Sequence, residues 1–293
     1  MSPLTPTELM MHSTVRIECV GPNNAKSSGT GFFYNLFVSG KQSVPVIVTN
    51  KHVLLGNDKA IFFLTLANID GAPQLGKMER VEILNLSGQW IGHPDPNIDL
   101  AIIPTATLFH TLANQGKIPF VVPLDQSLIP ADSVLKSLTP VEDVLVVGYP
   151  DGIWDSHNNA PIFRRGITAT APYIPFNGQT VFLIDCSIFP GSSGSPVFLF
   201  NSGGWTDRNG GMRIGSRILF LGVVYAVAQH TVAGELIIVQ APTNTKSVPV
   251  SAIPNNLGIC VMAARVLDFE PVLVRAGLFT TPPGYQMRST LPK

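Results

Sequence analysis

Three residue types that can together form a nucleophile lie in separate segments of the sequence. Residues 189–197 read FPGSSGSPV and contain three serines, Ser192, Ser193 and Ser195. A serine hydroxyl is a poor nucleophile near neutral pH, so it needs an adjacent base and a third group that orients this base. Clusters of Gly, Pro and Ser are also common in ordinary turns. The stretch is therefore either a simple loop or a catalytic nucleophile, and its residue types alone do not distinguish the three serines.

A histidine and an aspartate lie beside apolar segments where they could complete such a site. His52 follows the apolar run VPVIVT, and a strand there would give its ring a fixed position. Asp99 directly precedes the run LAII, which would carry its carboxylate toward the interior, where it needs a partner such as an imidazole N–H. Asp95 is the rival acid, but it lies between two prolines, which favours a turn. We expect His93, in the same segment, on a loop surface.

The elements that must position these residues are mainly short strands. The chain contains 26 Gly and 25 Pro, which divide it into short β-rich segments, a pattern typical of antiparallel sandwiches or barrels. One of the predicted strands covers residues 235–240. Helical patterning is confined to residues 106–114, 131–138 and 263–269. The first two helical segments predict a connection between two β units of similar size.

The composition argues against several classes of protein. The hydrophobic fraction is 45% and the mean hydropathy is +0.28, which predicts a folded chain. Lys and Arg together number 19, as do Asp and Glu, so no basic field favours a nucleic-acid partner. The longest apolar run, residues 218–228, is well short of the ~20 residues of a membrane helix. The first residues show no secretory signal pattern.

The three cysteines, Cys19, Cys186 and Cys260, are widely spaced and form no CxxC motif. An odd count at such spacing is typical of reduced, buried thiols rather than of disulfides or a zinc site. We therefore expect a cytoplasmic protein that binds neither a membrane nor a nucleic acid and uses no metal or organic cofactor.

Six segments, in order, resemble those of the trypsin/chymotrypsin-fold serine proteases, and most closely the HtrA/Deg branch. The segments are SSGTGFF, VTNKHVL, IDLAII, VGYPDG with RRGITATAP, IDCSIFPGSSGSP and LGICVMAARV, and they extend over residues 27–269. The block around the serines is the most specific of them. The chain order His, Asp, Ser is also the order of chymotrypsin-like proteases, whereas subtilisins and α/β-hydrolases have other orders.

This resemblance implies an all-β fold of two antiparallel six-stranded β-barrels, with short helices in the connection and near the C-terminus. The implied division is an N-terminal barrel over 12–118 with His52 and Asp99, a connection over 119–141, a C-terminal barrel over 142–270 with Ser193, and a tail over 271–293.

The resemblance also assigns roles within the site. Ser193, followed by Gly, matches the nucleophile, which makes Ser192 and Ser195 spacers. His52 matches the general base, which later acts as the acid, and Asp99 matches the residue that fixes the tautomer of His52. The backbone N–H groups of Gly191 and Ser193 would form the oxyanion hole.

Two departures from the family pattern affect regulation. In secreted trypsins, the residue before the nucleophile is an aspartate that pairs with a newly cut N-terminus, whereas this chain has Ser192. HtrA proteins usually carry a signal peptide and a C-terminal PDZ domain, and we recognise neither in this sequence. Regulation is then expected from loops, oligomerisation or another protein.

The resemblance also places the primary substrate pocket. Ser187 lies six residues before the nucleophile, at the position of the pocket base, so no acidic side chain is there to select Arg or Lys. Tyr225, Ala226 and Val227 would form the opposite wall. These residues predict a small or medium apolar pocket.

The function expected from these features is that of a serine endopeptidase acting on protein or peptide substrates. Two alternatives remain at this point: a protease-fold binding or scaffold module, and a latent effector protease whose site is assembled by an activating protein partner. Arg164 and Arg165 are interpreted as an exposed strand edge.

Overall fold

The computed structural model of the protein describes residues 3–39, 42–232 and 251–280, and strands dominate it. The strands in chain order are β1 Thr14–Val20, β2 Lys26–Ser39, β3 Gln42–Thr49, β4 Lys59–Ala67, β5 Pro73–Leu84, β6 Ile91–Gly92, β7 Ala101–Pro104, β8 Leu124–Asp125, β9 Asp143–Gly148, β10 Ile162–Thr168, β11 Val181–Asp185, β12 Pro196–Asn201, β13 Gly204–Thr206, β14 Met212–Ile214, β15 Arg217–Val232 and β16 Ser251–Met262. The helices are α1 Pro6–Met11, α2 Lys51–Leu54, α3 Ala106–Asn114, α4 Asp132–Ser137 and α5 Phe269–Arg275. The predicted β-rich class is confirmed.

The N-terminal half is one open sheet rather than a barrel. Its strand order is β5-β4-β1-β2-β3-β7-β6, and β8 pairs in parallel with β2. In β1, the side chains of Val15, Ile17 and Cys19 alternate with more exposed residues and pack into a buried cluster on one face. This period of two is the pattern of a strand with one face in the core.

The sequence predicted a closed six-stranded barrel in this half, and for the described residues that prediction is wrong. The ring is open between β5 and β6. After β5 the chain passes through the left-handed Asn85 into a 3-10 turn, Leu86–Gly88. Strand β6 then has only two residues, and both pair with β7. Strand β5 is therefore left without a second neighbouring strand. Closure of a barrel requires pairing along every strand, so the sheet stays open.

The C-terminal half is a closed antiparallel barrel of six strands, in the order β10-β11-β16-β15-β12-β9. The predicted six-stranded barrel is confirmed for this half. Its interior is filled by aliphatic and aromatic side chains that alternate along the strands. Among these fully buried residues are Val146, Phe182, Ile184, Val197, Leu199 and Cys260.

The two halves share a third buried cluster, which lies between them. It takes Phe32, Val48 and Leu100 from the N-terminal half and Phe198 and Phe220 from the barrel. Fully burying a side chain of this size stabilises the fold by roughly 1.5–3 kcal/mol. The halves are therefore packed into one unit, and loops at their boundary are held from both sides.

The three predicted helical segments are helical, with one change, and the structure adds α1 and α2, which the sequence did not predict. The predicted segments 106–114 and 131–138 correspond to α3 and α4. The segment 263–269 is instead a 3-10 turn, Ala263–Asp268, followed by α5. In the described part of the chain, no helix is long and apolar enough to cross a membrane.

The three cysteines are free and buried, as their spacing predicted. The strand predicted over residues 235–240 lies outside the described residues.

Candidate active site

His52 lies in the one-turn helix α2, directly after β3. Asn50, the residue before this helix, is fully buried, and its Nδ2 donates to the main-chain oxygen of Asp99 at 2.5 Å. Thr49 at the end of β3 pairs with Ala101 of β7, the strand that follows Asp99. Two paired strands and the Asn50 hydrogen bond therefore bring His52 and Asp99 together.

The side chains of His52 and Asp99 form a direct pair. His52 Nδ1 lies 2.5 Å from Asp99 Oδ2, and the His52 backbone N–H donates to Asp99 Oδ1 at 3.2 Å. Burial raises the pKa of Asp99, but the hydrogen bonds and charge of His52 outweigh this effect and leave that pKa lowered. The ionised carboxylate can only accept hydrogen bonds, so it requires the proton on Nδ1. Nε2 of the neutral ring is then free to accept a proton.

Asp95, the rival acid, is engaged within its own turn. Its Oδ1 accepts the N–H of Asn97 at 2.9 Å, and this hydrogen bond lowers the pKa of Asp95. Its main-chain oxygen accepts from Lys51 Nζ at 3.1 Å. The structure thus brings Asp99, and not Asp95, to the ring of His52.

Ser193 lies in the loop between β11 and β12, which we call the nucleophile loop (residues 186–195). The main-chain oxygen of Ser193 accepts the N–H of Thr30 at 2.8 Å, and the N–H of Gly194 donates to Val224 at 2.8 Å. Gly194 has φ +87°, and a Cβ there would overlap the Thr30 carbonyl oxygen. Only glycine fits this left-handed position. The loop is therefore held between β2 and β15 at the site of Ser193.

The peptide before Gly191 has a defined orientation. The Pro190 oxygen accepts the N–H of Asp151 at 2.5 Å. Because C=O and N–H of a trans peptide point in opposite directions, the Gly191 N–H points away from Asp151. Gly191 has φ +82°, and an added Cβ would lie 2.6 Å from the Tyr149 oxygen. Among the described residues, the N–H groups of Gly191 and Ser193 have no hydrogen-bond partner. Two unpaired donors on one turn can stabilise an oxyanion.

Thr30 connects the loop to the N-terminal sheet, and the sequence analysis gave it no role. Its Oγ1 donates to the Gly191 oxygen at 2.9 Å and accepts the N–H of Tyr149 at 3.0 Å. Its main-chain oxygen accepts from Thr49 Oγ1 at 2.7 Å. The only signal in the sequence is a polar residue between two glycines in GTG, directly before the aromatic residues Phe32 and Phe33.

Replacing Thr30 with valine is expected to lower the free energy of unfolding by about 1–3 kcal/mol, because the Tyr149 N–H and the Gly191 oxygen lose a buried partner. Urea denaturation of the two proteins measures this difference. Thr30→Ser is the matched control, since it keeps the hydroxyl and should be markedly less destabilised. Equal stability of Thr30→Val and the wild type would contradict the expected role.

Ser193 and His52 approach the site from different halves of the molecule. The hydroxyl of Thr49, three residues before His52, donates to the main-chain oxygen of Thr30. The N–H of Thr30 in turn donates to the main-chain oxygen of Ser193. In the part of the chain that the structure describes, no hydrogen bond joins Ser193 Oγ to His52. Hydrogen bonds of this kind are often long in the free state and tighten when substrate binds.

The predicted pocket residues lie in the nucleophile loop and on β15. Ser187 is exposed, and its main-chain oxygen accepts from Arg164 Nη1 at 2.9 Å. Tyr225 and Ala226 are half-buried on β15. Burial raises the pKa of Tyr225, and the charge of Asp99 adds to the effect. The side chain of Val227 lies outside the described part. The lining of the pocket stays a prediction.

Two further assignments need correction. The predicted exposed edge at Arg164 and Arg165 holds only for Arg165, which pairs with Asp143 at the surface. Arg164 is half-buried because its guanidinium binds the nucleophile loop.

His93, predicted on a loop surface, is fully buried instead. Its Nε2 binds Asp268 Oδ2 at 2.9 Å, and its Nδ1 accepts the Asp95 N–H at 3.0 Å. Arg265 Nη2 binds the same carboxylate at 2.5 Å. These contacts connect the segment before Asp99 to the C-terminal 3-10 turn. In the described residues, no group of His, Cys, Asp or Glu is arranged to hold a metal ion.

Several solved protease structures are similar to this chain. The HtrA-type protease AlgW with a tripeptide has 16% sequence identity and a TM-score of 0.48, and the match covers 91% of this chain and 62% of AlgW. The active form of the Rv3671c protease from M. tuberculosis has 17% identity and a TM-score of 0.43, covering 97% and 96% of the two chains. Tobacco etch virus protease with its product has 12% identity and a TM-score of 0.47, covering 99% and 88%.

No curated protein matches the sequence. The model of one protein family does match it, the trypsin-like peptidase domain, over residues 29–204. The matched region is more than half of the chain, and it includes His52, Asp99 and the whole nucleophile loop. The chain therefore belongs to the trypsin-like peptidase family.

Proposed function

We propose that this protein is a serine endopeptidase that cleaves protein or peptide substrates with Ser193, His52 and Asp99. The observation that carries the proposal is the state of the nucleophile loop. The Pro190 carbonyl oxygen accepts the backbone N–H of Asp151. The N–H groups of Gly191 and Ser193 have no hydrogen-bond partner among the described residues. A loop held in this way offers both donors to a substrate carbonyl without rearrangement.

The proposed reaction follows from the pairing of His52 with Asp99. Ser193 Oγ attacks the peptide carbonyl while its proton passes to His52 Nε2, and Asp99 stabilises the imidazolium that forms. The N–H groups of Gly191 and Ser193 bind the negative carbonyl oxygen of the tetrahedral intermediate. His52 then gives its proton to the leaving amine, which breaks the C–N bond and leaves an acyl-enzyme. Water, activated by His52, releases the acid product and restores Ser193.

We propose in addition that the residue before the cleaved bond is small or medium-sized and apolar. The support is the absence of an acidic side chain at Ser187 and the presence of Ala226 beside Tyr225. A mixed peptide library digested with the protein and analysed by mass spectrometry tests this specificity. Enrichment of Ala, Val or Leu before the cut is the expected result, and a profile dominated by Arg or Lys would reject it.

A fluorophosphonate probe tests whether the site is assembled. The wild type should be labelled covalently, and Ser193→Ala should not be labelled. Ser195→Ala is the matched control, because it removes a hydroxyl from the same loop and should still be labelled. Absence of labelling in the wild type would favour the alternatives instead, a protease-fold binding or scaffold module or a latent protease that needs a protein partner.

A further inference from the structure

The residue before Ser193 has a cationic partner within the chain. Ser192 is fully buried, and its Oγ accepts from Arg164 Nη1 at 2.7 Å and from the N–H of Phe189 at 3.3 Å. The same Nη1 donates to the main-chain oxygen of Ser187 at 2.9 Å. One guanidinium nitrogen therefore bridges the two ends of segment 187–192, which contains the Pro190–Gly191 peptide.

The remaining donors of Arg164 are buried without partners. Nε and Nη2 are inaccessible to solvent and make no hydrogen bond in the described part of the chain. Burial lowers the pKa of this guanidinium, while the nearby Cys186 and Asp151 act in the opposite direction. Arginine stays charged in proteins, so a buried cation here depends on the few oxygen atoms that it contacts. Those oxygen atoms belong to the nucleophile loop.

Two of the three guanidinium nitrogen atoms of Arg164 are enclosed by protein. A cation that formed the floor of an open pocket would expose its free nitrogen atoms to water, whereas Nε and Nη2 are enclosed. Arg164 extends from β10, a strand of the closed barrel, so its backbone is fixed by pairing with β9. The side chain therefore binds the loop from a fixed strand of the barrel.

We propose that Arg164 is the positioning residue of the nucleophile loop, an internal cation that binds Ser192 and Ser187 and thereby keeps the Gly191 and Ser193 N–H groups directed at the substrate. This inference rests on the proposed function. The loop then needs neither a newly cut N-terminus nor an activating protein partner, because the cation that orders it is part of the barrel.

Kinetics of Arg164→Met test the proposal first. This variant keeps the aliphatic stem and removes the charge and the donors. We expect kcat to fall up to about 10²-fold with KM changed little, because a misplaced oxyanion donor acts on the transition state. Arg165→Met is the matched control on the same strand and should retain wild-type kcat. A rise in KM with kcat unchanged would overturn the proposal.

A charge-coupling experiment adds a result that a purely structural role would not give. Ser192→Asp places a carboxylate against the Arg164 guanidinium and should retain activity within a few-fold of the wild type. The same substitution combined with Arg164→Met buries an unpaired carboxylate, and kcat should fall at least tenfold below that of Arg164→Met alone. Equal effects of Ser192→Asp with and without Arg164 would show that the two residues are not coupled and would reject the inference.

Hydrogen exchange separates failure of this inference from failure of the proposed function, because it needs no activity. In a Ser193→Ala background, Arg164→Met should increase exchange of the Ser192 and Ser195 N–H groups, which are hydrogen-bonded within the loop. The strands of the barrel should exchange as before. Ser192→Ala, a smaller change, should act in the same direction if Arg164→Met does not fold. Unchanged exchange in the loop of the folded variants would overturn the positioning role, even in a protein that the probe labels.

Discussion

Replacing Ser193 with alanine is expected to lower kcat by about six orders of magnitude, the loss seen when a serine protease loses its nucleophile. The side chain of Ser193 is the group that would form the acyl-enzyme, and neither neighbouring serine can take its place. Ser192 Oγ is buried against Arg164, and Ser195 is fully buried. The measurement is kcat on a peptide substrate that the wild type cleaves.

Ser195→Ala is the control for this experiment. Its hydroxyl lies two residues from the nucleophile and has no partner among the described residues. We expect its kcat to stay close to that of the wild type. A Ser193→Ala variant that kept most of its activity, or a Ser195→Ala variant that lost it, would overturn the assignment of the nucleophile.

Asp99→Asn is expected to lower kcat by about 10⁴-fold while the fold remains intact. The carboxylate of Asp99 accepts the Nδ1 proton of His52, which leaves Nε2 able to take a proton from Ser193. An asparagine amide can donate to Nδ1 instead, and the ring then carries its proton on Nε2, where it cannot act as a base. Steady-state kinetics at neutral pH measure the loss, and circular dichroism checks the fold.

Asp95→Asn provides the matched comparison, because it makes the same change from carboxylate to amide four residues earlier. Asn at this position can still accept the N–H of Asn97, so the turn is preserved. Its kcat should differ from that of the wild type by no more than a few-fold. If Asp95→Asn caused the larger loss, the acid of the site would be Asp95 rather than Asp99.

The positions of His52 and Asp99 beside strands were predictable, because an apolar run of strand type fixes the direction of the residue next to it. The open edge of the N-terminal sheet, between β5 and β6, was not predictable. Strand β5 is mostly exposed and rich in charged residues, with Val81 as its buried residue, so it lacks the apolar pattern by which strands are recognised. Whether β5 then meets β6 depends on a turn at Asn85, whose geometry leaves little trace in the sequence.

Contacts between distant residues account for the other differences. Arg164 contacts Ser192, 28 positions later in the chain, and His93 contacts Asp268, 175 positions later. Read locally, Arg164 belongs to a charged strand edge and His93 to a proline-rich turn, and both patterns are typical of exposed residues. Only the folded chain brings each to its partner, because burial of a polar group is decided by the groups that meet it.

The contact between Thr30 and the nucleophile loop joins parts of the chain that are synthesised at different times. Thr30 is made early and Ser193 much later, while Val224, which binds the Gly194 N–H, follows on a strand that pairs with β16. Because domains are generally made and folded from the N-terminal side, the growing chain contains His52 and Asp99 long before Ser193 lies in its folded loop. Under the proposed function, we expect a chain that still lacks β16 to show no activity.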